Sequence, residues 1–498
     1  MSKCLCRFAK KTGKKKIRNK KKLIFAGILL SSTVIMCQAQ EKKEVPHLMV
    51  PVLFEHEIPE DMDQICEEVQ KLVQKKIGVD VELTAILYNT SSSSSDQRQQ
   101  SELSFLQKQG KHFDVYPSVL SKEGYLELSE LLKQNGTKIT ELIGEKRMEM
   151  MKEKGEIWTL PSVSDYVSSF GITMRKDLVL QTGIHLNEIK TLQDLSKIFE
   201  KIKEEYPDLS AVCSYRTRRG FIDRLKAEKI VVNPICTKND EGRFENYYET
   251  KEYEEMVQLF YEWGKKGYLP DALPLQNVMG SSIVESGTLF SYFSPCKPSI
   301  EYEESISCGM DMVTIPLMEP VVTSRSLEST VHWGISNTCQ YPESAMEFLN
   351  LLYTDCELVN LIIYGIEGIH YEIMEDGTIC YPEGISKDNV GYQNTQPWFL
   401  PNQLISYVWK GNDPQMWAKT KQFNEDARWQ EGITFEFETE KVKEEIENIE
   451  QVLEKYTYGL ESGQLDPEIY LTKMKEELKK AGSDHVLEEV QRQWDAEY

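Results

Sequence analysis

Apolar positions recur in two rhythms along this chain, and the rhythms divide it. Leu48–Phe54 is an apolar run that reads as a strand, with Pro51 placing it at an edge or a bulge. Glu60–Ile77 carries Met62, Ile65, Val69, Leu72 and Val73 at helical spacing and predicts an amphipathic helix. Val79, Val81, Leu83, Ala85 and Leu87 alternate with other residues and predict a second strand. Strand, helix and strand in that order form a βαβ unit, so the sheet should be largely parallel. Phe113–Tyr116 reads as a further short strand with Asp114 at its carboxyl end, and Ile157–Leu160 as another, ended by Pro161.

Beyond this point the helical period dominates. Thr191 is a natural N-cap for a helix to Tyr206, with Asp194 three residues on, close to a capping box. Tyr253–Lys266 is amphipathic and ends at Gly267. Pro342–Tyr364 reads as one long apolar helix with proline in its first turn. Val442, Ile446, Ile449, Val452, Leu453 and Tyr456 form one stripe over Lys441–Tyr456, and Pro467–Gln493 continues as helix with a break at Ala481-Gly482. The order is α/β first and helical last.

One apolar run is not part of the fold. Lys3–Lys22 holds 11 Lys or Arg and no acid, Leu23–Met36 is apolar over 14 residues, and Cys37 closes it. A membrane-spanning helix needs about 20 apolar residues. The run is too short, and its flanks are those of a secretory leader, so the rest of the chain is expected outside the cytoplasm. Val34-Ile35-Met36-Cys37 resembles a lipobox, in which Cys37 is lipidated; cleavage after Ala39 is the competing reading. A complete lipoprotein anchor would hold the protein stably at the membrane, where a single acyl chain would not.

Charge then excludes some partners. The chain carries −22, of which the leader contributes +11, leaving about −33 on the remainder. That argues against nucleic acid, which needs basic patches, and against a surface lying on anionic lipid. The length after the leader fits two lobes or more. Cys66, Cys213, Cys236, Cys296, Cys308, Cys339, Cys356 and Cys380 are scattered without a CxxC pair, so zinc and thioredoxin-like sites are not expected. They read as free thiols, with Cys296–Cys308 the one pair worth testing as a bridge. No cofactor is implied.

Catalytic patterns are missing: there is no GxSxG, HExxH, Walker loop or GxGxxG. Glycoside hydrolysis would need two carboxylates in a cleft, and nothing singles out a pair. Aromatic usage stands out instead. Trp158, Tyr166, Tyr292, Phe293, Trp333, Tyr371, Trp398, Phe399 and Trp409 fall at predicted strand ends, turns or Pro/Gly-rich loops. Sugars offer flat C–H faces that stack on such rings; packing at a lobe interface would use the same residues. Trp158, Tyr166, Asp114, Tyr292, Trp333, Glu367, Tyr371, Trp398 and Trp409 are the ligand-binding candidates. Glu367 is either a ligand carboxylate or a turn cap between glycines.

These residues carry a resemblance. Trp333-Gly334-Ile335-Ser336, the helix from Tyr341-Pro342-Glu343 to Tyr353, and Tyr364-Gly365-Ile366-Glu367-Gly368-Ile369-His370-Tyr371 resemble the extracellular solute-binding proteins of ABC importers. They are similar to a subset of large lipoproteins associated with sugar or oligosaccharide uptake. Phe435-Glu436-Phe437, Gly463-Gln464-Leu465-Asp466-Pro467 and Ala481–Trp494 resemble the helical C-terminal region of that subset, and Gly155–Pro161 and Met174–Leu178 the place where the chain crosses between lobes. Three features depart from it: Met36 in the lipobox, the serine run Ser91–Ser95 and the basic loop Arg216–Arg219.

The resemblance implies a two-lobe, periplasmic-binding-protein-like (Venus flytrap) α/β fold with a helical C-terminal extension. The expected division is a leader over 1–37, a tether over 38–47, lobe 1 over 48–160, lobe 2 over 161–332, a return through lobe 1 over 333–395, and a mostly helical region over 396–498 packed on the lobes. It further implies a monomer that binds a carbohydrate in the cleft and delivers it to membrane permease subunits, with no enzymatic activity. A glycan-sensing or adhesive lipoprotein, a binder of a peptide or other polar solute, and an extracellular glycan-cleaving enzyme are the alternatives.

Overall fold

The computed structural model describes residues 45–55, 57–87, 112–118, 123–167, 169–214, 225–226, 228–270, 278–323, 326–327 and 330–498. The leader with Cys37, the serine run and the Arg216–Arg219 loop lie outside them.

The first lobe begins with the βαβ unit. Strands β1 (His47–Phe54) and β2 (Asp80–Leu87) pair in parallel from His47↔Asp80 to Phe54↔Leu87. The helix between them, Met62–Ile77, buries Met62, Ile65, Val69, Leu72 and Val73 and ends at Gly78, whose φ of 71° suits glycine. The end of β2 departs from the expected alternation, with Ile86 buried and Leu87 exposed. Strands β3 (Val115–Ser118) and β4 (Leu160–Pro161) flank β9 (His332–Ile335), both antiparallel to it. Pro51 has no N–H to donate, and β1 meets the entry to β3 through Met49 and Asp114 rather than through a continuous ladder.

The second lobe is built on a sheet in the order β8–β5–β7–β6: Met312–Pro316, Ser169–Arg175, Leu289–Cys296 and Ser210–Ser214. Strand β7 runs parallel to β6 and antiparallel to β5. Helix Leu192–Glu205 starts with the expected capping box: Thr191 Oγ1 accepts from the Asp194 N–H, and the Asp194 carboxylate accepts from the Thr191 N–H.

Two large apolar cores match the two lobes. One draws on residues 48–160 and 331–400, the other on residues 170–293 and 442–494. The C-terminal helices Lys443–Glu461, Pro467–Lys480 and Ser483–Glu497 bury Ile449, Leu460, Met474, Leu478, Val490 and Trp494 in the second core. Close backbone approach fixes one contact: a Cβ on Gly463 would stand 2.3 Å from the Phe260 carbonyl. Residues up to Trp409 pack on the first core instead.

Four expectations are corrected. The sheets are mixed rather than largely parallel: β5 is antiparallel to both its neighbours, and so is β9. The apolar helix over 342–364 is two helices, Pro342–Thr354 and Cys356–Tyr364, because Asp355 leaves helical geometry and its carboxylate accepts from the Leu358 N–H. Ile157–Leu160 is not one strand: Glu156–Ile157 pairs back on Lys152–Glu153, and only Leu160–Pro161 joins β9. Cys296 and Cys308 are both free thiols.

Candidate functional site at the lobe junction

The chain leaves the first core after Leu160 and joins the second at Phe170, is back in the first at Val331, and leaves it again after Leu400. These passes are tied to one another. Val163 N–H donates to the Pro401 carbonyl (2.7 Å), Gln403 N–H to the Val163 carbonyl (2.9 Å) and Ser162 N–H to the Val331 carbonyl (2.8 Å). Val321–Val322 pairs in parallel with Arg428–Trp429. Asn424 bridges by donating to the Ser164 carbonyl (2.8 Å) and accepting from the Val167 N–H (3.4 Å). A small apolar cluster of Val167, Val322, Leu327 and Ala427 sits among them, with Tyr166, Phe423 and Trp429 against it. This is the construction of a hinge: few strands, well bonded, between two independent cores.

A cavity of about 590 Å³ opens at the junction edge of the second sheet, where β7 ends, β5 begins and β8 ends. Ser169, Cys296, Lys297, Thr314, Pro316 and Phe423 are among its walls. Lys297 pairs with Asp165 of the crossing segment (2.7 Å) and with Glu303 (3.2 Å). Burial works against its charge, but the two carboxylates outweigh it and raise its pKa.

The predicted site residues fall into several places. Trp333 is 2% exposed; its indole N–H donates to the Phe399 carbonyl at 2.7 Å, and Phe399 stacks on Trp398 with centroids 4.0 Å apart. Tyr371 and Trp409 meet in a second group around Tyr364 and Tyr407, with Tyr381 on Trp409. Trp158 and Trp398 are half-buried, and Glu367 is exposed in the turn closed by the Gly368 N–H on the Tyr371 carbonyl. Tyr166 lies in the hinge beneath Arg147.

Two candidates are corrected to structural positions. Asp114 precedes β3 rather than ending it; its carboxylate accepts from the Met49 N–H (2.9 Å) and meets His112 Nε2 (2.9 Å), which ties β1 to β3. Tyr292 is fully buried in the second lobe, its hydroxyl on the Glu304 carboxylate and 3.3 Å from Cys308 Sγ.

Sequence reasoning missed the most unusual group here. Arg147, on the short helix Glu145–Met150, is 4% exposed; its guanidinium lies 4.0 Å from the Tyr166 ring centroid and donates to the Ser162 carbonyl at 3.2 Å. Burial lowers its pKa, and the groups opposing that are Tyr166 and Tyr353 rather than a carboxylate. His332 beside it is lowered to about 4, first by burial and then by Arg147. The Glu-Lys-Arg-Met-Glu-Met run around Arg147 reads as a solvated helical face and carries no signal of this.

Two lobes, a three-pass hinge and helices closing the chain define the solute-binding-protein architecture. Comparison with known proteins agrees. A carbohydrate ABC transporter substrate-binding protein of Streptococcus pneumoniae is 23% identical over 503 residues, covering 96% of this chain and 99% of that one. The crystal structure of the N-glycan transport solute binding protein NgtS from Streptococcus pneumoniae superposes with a TM-score of 0.72 at 20% identity, covering 91% of this chain and 98% of that one. The same protein in complex with Man5GlcNAc gives 0.57 at 21% identity, with the same coverage. A family model described as a domain of unknown function, DUF3502, matches residues 432–497. The likeness to extracellular solute-binding proteins read from the sequence is borne out, and so is the two-lobe fold.

Proposed function

We propose that this chain is the extracytoplasmic solute-binding component of an ABC importer and that it closes on an oligosaccharide between its lobes. The observation that carries the reading is a likeness that runs end to end through a substrate-binding protein of a carbohydrate importer. A ligand that touches both lobes only when they approach shifts the population toward closure. The hinge passes keep their hydrogen bonds inside the junction, so closure turns one lobe about them without breaking either core. The work asked of the protein is binding; hydrolysis of ATP belongs to a separate subunit.

Within this reading, lobe 1 comprises residues 48–160 and 333–395 and lobe 2 residues 161–332. Trp158, Tyr166, Trp398, Trp409, Tyr371 and Glu367 stay as ligand candidates, and Cys37 as the lipid attachment point after the leader. Half-buried Trp158 and Trp398 suit stacking on sugar faces best, because each keeps ring surface free. No helix of the described residues is long and apolar enough to cross a membrane.

A thermal-shift screen against mono- and oligosaccharides, amino acids and short peptides tests the reading. A ligand specific for the native state stabilises by about 2.7 kcal/mol at a hundredfold excess over its Kd. A shift with one oligosaccharide family is the expected result. A silent sugar panel with a peptide hit would overturn the substrate.

A further inference from the structure

The geometry points to a carboxylate-binding subsite at the hinge, with Arg147 as the anchor for a carboxylated sugar. This rests on the oligosaccharide reading and narrows it. A guanidinium has five N–H donors in a planar fork that matches a carboxylate. Arg147 uses one of them on a protein oxygen, the Ser162 carbonyl. Its Nε is buried without a partner. Ser162 is fully buried as well, and its Oγ has no partner, although its carbonyl is the acceptor for Arg147. Trp158, four residues upstream, also keeps a buried indole N–H without one.

A buried cation without a counter-charge is costly, and proteins normally supply an acid. Acids are abundant in this chain, yet none of the described residues pairs with Arg147, whereas Lys297 across the hinge has both Asp165 and Glu303. Tyr166 sets its ring against the guanidinium, 4.0 Å from Cζ to the centroid, without neutralising it. The site therefore combines a fixed cation with the buried, unpartnered hydroxyl of the residue whose carbonyl it binds, on the pass that leaves the first core. A sugar bearing a carboxylate supplies the missing charge and acceptors together. A neutral sugar supplies only hydroxyls.

Matched pairs test this by calorimetric titration of the purified protein at constant ionic strength: cellobiouronic acid against cellobiose, sialyllactose against lactose, and acetate against chloride. The expected result is tighter binding of the carboxylated member in at least one sugar pair. Arg147→Gln then reduces affinity for that member by about thirtyfold or more, the scale for removing one partner of a buried charged pair, and the preference collapses. Arg147→Lys, which keeps the charge and loses the fork, reduces the preference in the same direction and serves if the glutamine variant does not fold. Acetate stabilising the wild type beyond chloride supports a carboxylate site as such. Neutral oligosaccharides binding as tightly as their acidic partners overturn the subsite and leave the transport reading standing. If no oligosaccharide of either kind binds here or in the wider sugar panel, the oligosaccharide reading falls, and the sugar subsite with it.

Discussion

Replacing Trp333 with alanine separates packing from ligand contact, because the two roles predict opposite readouts. The side chain is 2% exposed, sits in the core of the first lobe and spends its indole N–H on the Phe399 carbonyl. Truncating a buried tryptophan costs about 3–5 kcal/mol, and the lost hydrogen bond adds about 1 kcal/mol. At two or more degrees per kcal/mol for a lobe of this size, the melting temperature should fall by about 10 °C. Differential scanning calorimetry measures that, and titration well below the transition measures binding by the protein that remains folded. The expected outcome is a large fall in Tm with oligosaccharide affinity nearly kept. An unchanged Tm with binding abolished would refute the packing assignment and place Trp333 in the ligand site.

Trp398→Ala should behave the other way: a half-buried ring that stacks on sugar is worth about 1–3 kcal/mol of affinity, read by titration, with little change in Tm. Gly365 has φ 81°, and a Cβ there would stand 2.5 Å from His370 Nδ1, so Gly365→Ala should lose about 1–3 kcal/mol in urea denaturation. Thr191→Ala removes a capping box and should cost about 1 kcal/mol by the same assay. His332 is held neutral to about pH 4 in the folded state, while the unfolded histidine takes up a proton near pH 6.5. Its contribution is therefore complete above the unfolded value and is lost as pH falls from about 6.5 toward 4, by up to about 3 kcal/mol. The difference in Tm between wild type and His332→Asn across that window isolates it from Glu304, whose raised pKa acts in the opposite sense.

The sequence made the parts with strong local grammar legible. The βαβ unit, the Thr191 capping box and the break at Gly482, whose φ is 99°, follow from spacing and turn chemistry. What blurred was set by single side chains acting against a run, as where Asp355 splits an apolar helix. The strings behind the family resemblance have packing reasons. A Cβ on Gly334 would stand 2.3 Å from the Tyr125 ring, and His370 accepts from the Ile366 N–H and reaches Asp61 at the start of the first helix. Such strings locate the fold well and the ligand poorly. The candidate site was legible as an excess of aromatics at turns, but periodicity does not tell a ring that fills a core, such as Tyr292, from one with a free face, such as Trp398. Arg147 was invisible because its partners, Ser162 and Tyr166, lie 15 and 19 positions away, and no local pattern reports that.

The central claim is closure of two lobes on an oligosaccharide. Small-angle X-ray scattering along a titration with the best ligand of the panel tests it most directly. The account predicts a radius of gyration that decreases saturably, with the same midpoint as the calorimetric titration. Saturation of the calorimetric signal with unchanged scattering would contradict it.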